Sequence, residues 1–228
     1  MFLPLHDQNP IRHVSFPYVT YGLLAVNVLV FLVQLTLPDG HGFNWFAVEY
    51  GMVPVVVRDV VEQPVAWLPD WANLFTYAFL HADWLHLLSN MLFLWIFGDN
   101  IEDALGHVKF LVFYLLCGVL AGLAHIAANF DDVGPLIGAS GAVAGVMGAY
   151  ILLYPHAKVF VLFRLVIPIP LPIPALWMLG FWIATQLFYV VAGSDEPVAW
   201  WAHLGGVVAG AVLAVPFKRR EVPLFGGR

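Results

Sequence analysis

The chain has 228 residues, of which 61% are hydrophobic and only 11% charged, and its mean hydropathy is +0.85. No water-soluble core can hide that much apolar surface, so the composition excludes an ordinary soluble domain and places the chain among multi-pass membrane proteins. A formal net charge of -6 argues against a nucleic-acid partner, and the single cysteine, Cys117, makes neither an intrachain disulfide nor a zinc cluster.

Uncharged runs of membrane-spanning length occur at Tyr18–Leu37, Phe110–Ala128, Leu136–Tyr154, Pro174–Ala192 and Val198–Phe217. Another, Trp84–Gly98, is short for a span and must borrow flanking residues from His81 to about Leu105. The sequence therefore predicts an all-α membrane protein with six transmembrane helices over about 18–37, 81–105, 110–128, 136–154, 174–192 and 198–217, in one membrane domain covering 1–228. The first run is too long for the apolar region of a cleaved signal peptide, so it is retained as a helix.

The long connection from Pro38 to about Leu80 contains Trp45, Trp67 and Trp71 among many apolar residues. Tryptophan prefers the headgroup level, so this first outer loop is expected to lie in the membrane interface, with Trp84, Trp200 and Trp201 in the same belt. It reads as an anchor, with a substrate-binding surface as the alternative. Between the fourth and fifth helices, Pro168, Pro170, Pro172 and Pro174 forbid a continuous helix, and the fifth is expected to begin near Pro174.

Short cytoplasmic loops collect Lys and Arg. With the N-terminus inside, eight of the nine basic residues fall on the inner side (Arg12, Lys109, Lys158, Arg164, Lys218, Arg219, Arg220, Arg228), leaving Arg58 outside. Both termini are then cytoplasmic. Asp39, Glu49, Asp59, Glu62, Asp70, Asp131, Asp132, Asp195 and Glu196 populate the outer loops. A prokaryotic plasma membrane is the expected location, because the chain carries no transit peptide or large regulatory domain.

Polar side chains are costly in hydrocarbon, so several at one depth point to chemistry. On this topology His86, Ser140 and His203 each lie roughly 3 to 6 residues inside the outer end of their helices, about 5 to 9 Å along the axis. Asn90 shares a helix face with His86 one turn deeper. Gly141 and Gly145 on the fourth helix, and Gly206 and Gly210 on the sixth, make two GxxxG pairs that let backbones approach closely. Packing those faces together would bring Ser140 near His203. A serine hydroxyl needs a base to become a nucleophile, and the oxyanion it generates needs fixed donors, which His86, Asn90 and the Ser140 N–H can supply. The fourth and sixth helices carry no acidic residue, so such chemistry would run on a Ser–His dyad.

Each residue also has a plainer reading. Ser140 can bond its own helix carbonyl, His203 can be a packing histidine, and His86 and Asn90 can join neighbouring helices. His81 reads as structural, Asn27 as an interhelical hydrogen bond, and His125 is assigned no function.

Three motifs in this order, "HADWLHLLSN" (His81, His86, Asn90), "GASG" (Gly138 to Gly141) and "AHLGGVVAG" (Ala202 to Gly210), resemble the rhomboid family of intramembrane serine proteases. "FGDNIEDALGHVKF", with Glu102 and Gly106, is a further match. The resemblance covers about Asn73 to Phe217, with the first helix matching more loosely. It implies a six-helix bundle in which Ser140 is the nucleophile, His203 the base and then the acid, and His86 with Asn90 lines the oxyanion hole. It also implies transmembrane protein substrates cut near their outer end, surrounding membrane lipids as the other partner, and no metal, nucleotide or other cofactor. Two departures stand out: Ala144 occupies a position where some members carry an aromatic residue beside the imidazole, and "NLFTYAFL" lacks the Trp-Arg pair that some have in the first outer loop.

Competing functions are a haem protein using His86 and His203, a zinc protease, a transporter, and a non-catalytic rhomboid-like binder of transmembrane segments. The haem reading leaves Ser140 and its glycines unexplained, HExxH is absent, and no inverted repeat or carboxylate-lined path is present. The binder is the main alternative, although its relatives typically lack the serine or histidine that this chain retains.

Overall fold

The computed structural model describes residues 2–36, 42–60, 68–163, 170–193 and 198–226. Leu37, Asp39, Glu62, Trp67, Arg164, Pro168, Asp195, Glu196 and Arg228, to which expectations were attached, lie outside the described residues, as does the side chain of Trp45. In chain order the elements are strand β1 (Phe2–Asp7), helix α1 (Tyr18–Thr36), helix α2 (Gly42–Tyr50), and the single turns α3 (Pro54–Val57) and α4 (Asn73–Thr76). There follow helices α5 (Trp84–Leu105), α6 (His107–Ala128) and α7 (Ser140–Leu153), strands β2 (Lys158–Phe163) and β3 (Pro170–Pro174), and helices α8 (Ala175–Ala192) and α9 (Trp200–Phe217).

The chain is mostly helical. Four helices, α1, α6, α8 and α9, are long and apolar enough to cross a membrane. α5 has the length, at 22 residues, but carries Asp99, Glu102 and Asp103 in its last two turns. α7 has only 14 residues and sits inside the bundle, with every residue from Gly141 to Tyr150 buried.

The expectation of an all-α fold is corrected by an antiparallel sheet in the order β1-β2-β3. β2 is an alternation of Val and bulky residues that suits a pleated surface. β3 takes the proline run because it is an edge strand. Pro170, Pro172 and Pro174 share one parity, while Ala175, of the opposite parity, donates its N–H to Ala157 O at 2.8 Å, so the missing donors face away from β2.

Helix starts differ from the expected boundaries for local reasons. α5 begins at Trp84, not His81, because Asp83 caps it, accepting the His86 N–H at 2.8 Å. α7 begins at Ser140 itself, not at Leu136: Leu136 pairs with Met52, and Gly138, at φ +118°, donates its N–H to Tyr77 O at 2.9 Å. α6 begins at His107, directly after the positive-φ Gly106 that ends α5.

α7 and α9 meet backbone to backbone. A Cβ at Gly206 would overlap the Gly141 carbonyl oxygen, and one at Gly210 would overlap that of Gly145. α8 is attached far less extensively, burying only Ala175, Met178, Leu179 and Gln186.

Carboxylates at the far end of α5 organise the N-terminal segment. Glu102 accepts the N–H groups of Val19 (2.9 Å) and Thr20 (2.7 Å) and the Thr20 hydroxyl (2.7 Å), capping α1, and lies 2.5 Å from His107 Nδ1. Asp103 Oδ1 accepts three successive N–H groups, from Arg12 (3.0 Å), His13 (2.5 Å) and Val14 (2.8 Å). Arg219 closes this end, its Nε donating to Asp103 O at 3.2 Å.

Candidate active site

Ser140, the first residue of α7, lines a cavity of about 960 Å³ at the end of the bundle opposite the sheet. Of the three polar residues expected 3 to 6 residues inside their helices, only Ser140 departs clearly from that depth. Ser140 is the first residue of α7, His86 the third of α5 and His203 the fourth of α9.

The glycine contact between α7 and α9 places His203 Nε2 2.9 Å from Ser140 Oγ. His203 Nδ1 lies 2.7 Å from Gln186 Oε1 on α8. An amide oxygen only accepts, so Nδ1 carries the hydrogen, and Nε2 of the neutral ring is left to accept from the serine hydroxyl. Trp182 packs against the imidazole at 5.5 Å between ring centroids, and Trp200 meets it edge-on at 6.2 Å. These aromatics come from α8 and α9, whereas Ala144 of α7 is buried beside Gly206.

His86 and Asn90 converge on Gly138. The Ala82 N–H donates to His86 Nδ1 at 3.3 Å, which puts the ring hydrogen on Nε2. A Cβ built on Gly138 would stand 2.6 Å from His86 Nε2 and 3.7 Å from Asn90 Nδ2. Glycine is therefore required twice over here, for the φ and for the space. Asn90 Nδ2 is buried with no hydrogen-bond partner among the described residues. The Ser140 N–H belongs to the first turn of α7, where backbone donors have no acceptor within the helix. His86 Nε2 and Asn90 Nδ2 thus both face Gly138, two residues before Ser140, and all three side chains line the same cavity.

His81 lies outside this convergence. It precedes α5 and packs edge-on against His86 at 5.1 Å, while Gln34 of α1 holds its backbone through two hydrogen bonds. His125 lines the cavity, with Nε2 4.0 Å from Asp132 Oδ2. Asn27 donates to Leu23 O within its own helix at 2.8 Å. Without a Trp-Arg pair, the loop before His81 is anchored by Asn73 to Gly51 O (2.9 Å), Thr76 to Tyr50 O (2.5 Å) and the Tyr77 hydroxyl to Gly118 O (2.7 Å). Among the described residues, no three His, Cys, Asp or Glu side chains are grouped to hold a metal ion.

Sequence reasoning missed Gln186 and Trp182. The available signal was the amide in an otherwise apolar helix, since intramembrane amides carry the same cost argument as Ser140.

Residues 68–220 match the family model described as Rhomboid domain. The chain belongs to the rhomboid family. It is 30% identical to Rhomboid protein 1, mitochondrial, of Saccharomyces cerevisiae over 85% of this chain and 51% of that protein. It is 27% identical to Rhomboid protease GlpG of Klebsiella pneumoniae (90% of this chain, 64% of that protein) and 29% identical to Rhomboid-related protein 2 of Mus musculus (79% and 61%). The chain thus spans between about half and two thirds of the length of these rhomboid relatives. Its apolar helices and its family together make it an integral membrane protein. With a mitochondrial protein among the relatives, the expected prokaryotic plasma membrane gains no support from them.

Proposed function

We propose that this rhomboid is an intramembrane serine endopeptidase that cuts transmembrane segments of other proteins near their outer end. The observation that carries the reading is the 2.9 Å contact between His203 Nε2 and Ser140 Oγ, both lining one cavity. Ser140 Oγ attacks the scissile carbonyl carbon as its proton passes to His203 Nε2. The carbonyl oxygen, now negative, is received by His86 Nε2–H, Asn90 Nδ2–H and the Ser140 N–H. His203 then returns the proton to the leaving amine; a water attacks the acyl carbon as its proton passes to Nε2, and when the ester bond breaks Nε2 gives that proton to Ser140 Oγ.

In this proposal all six long helices, α1 and α5 to α9, span the membrane as one domain. Protein surrounds α7 on every side, so its 14 residues need not match the hydrocarbon thickness. Arg12, Lys158, Lys218 and Arg219 belong to the end that holds the sheet and the C-terminal segment, so the positive-inside rule makes that end, with both termini, cytoplasmic and turns the cavity outward. Water then reaches the dyad from outside. Substrate helices hide their backbone bonds, so local unwinding near Gly, Pro or small residues favours cleavage.

Fluorophosphonate labelling of the detergent-purified protein tests nucleophile activation without a known substrate. The parent should label, while Ser140→Ala and His203→Ala, folded to the same thermal midpoint, should not. A folded parent that resists both this probe and a smaller serine-reactive one would instead support a rhomboid that binds transmembrane segments without cutting them.

A further inference from the structure

We propose that Gln186 is a positioning residue for the base: its amide carbonyl holds His203 in the Nδ1–H tautomer and turns Nε2 towards Ser140. The inference rests on the Ser140–His203 reading and supplies the orienting partner that a bare dyad lacks.

The geometry fixes both the residue and the direction of its amide. Gln186 is buried, with Oε1 2.7 Å from His203 Nδ1. Its Nε2 donates to Trp182 O at 3.1 Å and to Thr185 Oγ1 at 3.1 Å, while the Thr185 hydroxyl donates to Trp182 O at 2.6 Å. The Trp182 carbonyl only accepts, so flipping the amide would set oxygen against oxygen there and forfeit that bond, and the amide oxygen is held on the histidine side.

Packing points the same way. The other buried residues of α8, Ala175, Met178 and Leu179, all lie in its first turns, beside the sheet. In the half of the helix that borders the cavity, Gln186 is the sole buried side chain. A primary amide is costly to bury in an apolar bundle, and a residue whose role was only to fill space would lose nothing as Leu or Met.

The chemistry explains why the partner is an amide and not a carboxylate. During attack the serine proton moves to Nε2, and the Nδ1 hydrogen stays on the ring, still bonded to Gln186 Oε1. No proton enters the amide. Its carbonyl dipole faces the imidazolium, without the desolvation cost of a second charge at this depth. The other titratable side chains near enough to influence the ring are His86 from α5 and His125 from α6. Neither replaces an acceptor at Nδ1.

The test compares the full-length parent with Gln186→Leu, Gln186→Glu and Ser140→Ala in detergent, following fluorophosphonate labelling rates together with the thermal midpoint. Gln186→Leu should lower the maximal labelling rate roughly 10- to 100-fold, with the half-saturating probe concentration changed less than about threefold, and Gln186→Glu should recover most of the rate. Leu labelling at the parent rate, or Leu and Glu slowed equally, would overturn the proposal in favour of a packing role. Nitrogen-15 NMR of ring-labelled histidine in the parent, with the His203 signal identified by its loss in His203→Gln, reads the tautomer without depending on any Gln186 variant. Hydrogen on Nδ1 is expected, and hydrogen on Nε2 would refute the assignment. A folded parent that does not label but shows the Nδ1–H tautomer would remove the protease reading while keeping Gln186 as the residue that orients the ring.

Discussion

A buried donor with no hydrogen-bond partner among the described residues, in the cavity that Ser140 lines, is what separates Asn90 from a packing amide. A donor that faces a developing oxyanion acts as charge builds there, so its loss falls on the transition state. Replacing Asn90 by Ala should therefore lower kcat by about 10²-fold with little change in KM. The thermal midpoint should stay level or rise, since the buried polar group has gone. Cleavage kinetics of a transmembrane substrate together with thermal unfolding distinguish the roles: a packing amide would show the reverse, lost stability and preserved kcat. The spacing of His86 and Asn90 is legible in the sequence because residues four apart on a helix share a face. Their convergence on Gly138 is not, because it depends on a positive-φ backbone position and a hydrogen bond from Gly138 to Tyr77, 61 residues away in the sequence.

Between elements, the decisive surface is the glycine seam of α7 and α9. Gly210→Ala puts a methyl group into the Gly145 carbonyl, so α9 must move, at a cost of about 1–3 kcal/mol. His203 moves with it, so labelling at Ser140 should fall along with the thermal midpoint. Gly180 on α8 is the matched control, because a Cβ there meets nothing within 4 Å and Gly180→Ala should alter neither. A Gly210→Ala protein with parental midpoint and labelling would show the seam to be slack. Small residues four apart announce such a seam in sequence. α8 carries no such glycine pair; its one signal is the amide of Gln186, whose partner lies across the helix interface on α9. The sheet was hidden for a related reason: β2 is a short run whose hydropathy is that of a buried helix segment, and the proline run reads as a breaker until its parity on an edge strand is known. Hydropathy locates apolar runs well and helix starts poorly, since Asp83 and Gly138 set those starts by hydrogen bonding and backbone conformation.

Across the whole molecule, the end opposite the cavity is joined through carboxylates rather than glycines. Asp7 of β1 accepts from the Tyr150 hydroxyl of α7 and, at 3.2 Å, from Asn100 Nδ2 of α5, so one side chain ties the sheet to two helices. Burial pushes its carboxyl up from an ordinary 3.8 to about 7, with Asp99 adding to the rise and the Tyr150 hydrogen bond opposing it. The folded-state value lies above the unfolded one, so the folded protein holds a proton that the unfolded chain has released between about pH 4 and pH 7. This group's stabilising contribution is complete below about pH 4 and is lost as pH rises through 7. Asparagine mimics the protonated side chain at every pH. Asp7→Asn should therefore match the parent within small error in acid and exceed it at pH 8 by about 1–3 kcal/mol, after discounting for partial exposure. Thermal unfolding in detergent from pH 4 to pH 8.5 reads the difference. A gap that opens between pH 4 and 7 and then levels assigns the effect to Asp7, whereas a gap constant with pH would mean that the carboxyl stays ionised and that Tyr150 and Asn100 donate to a carboxylate throughout.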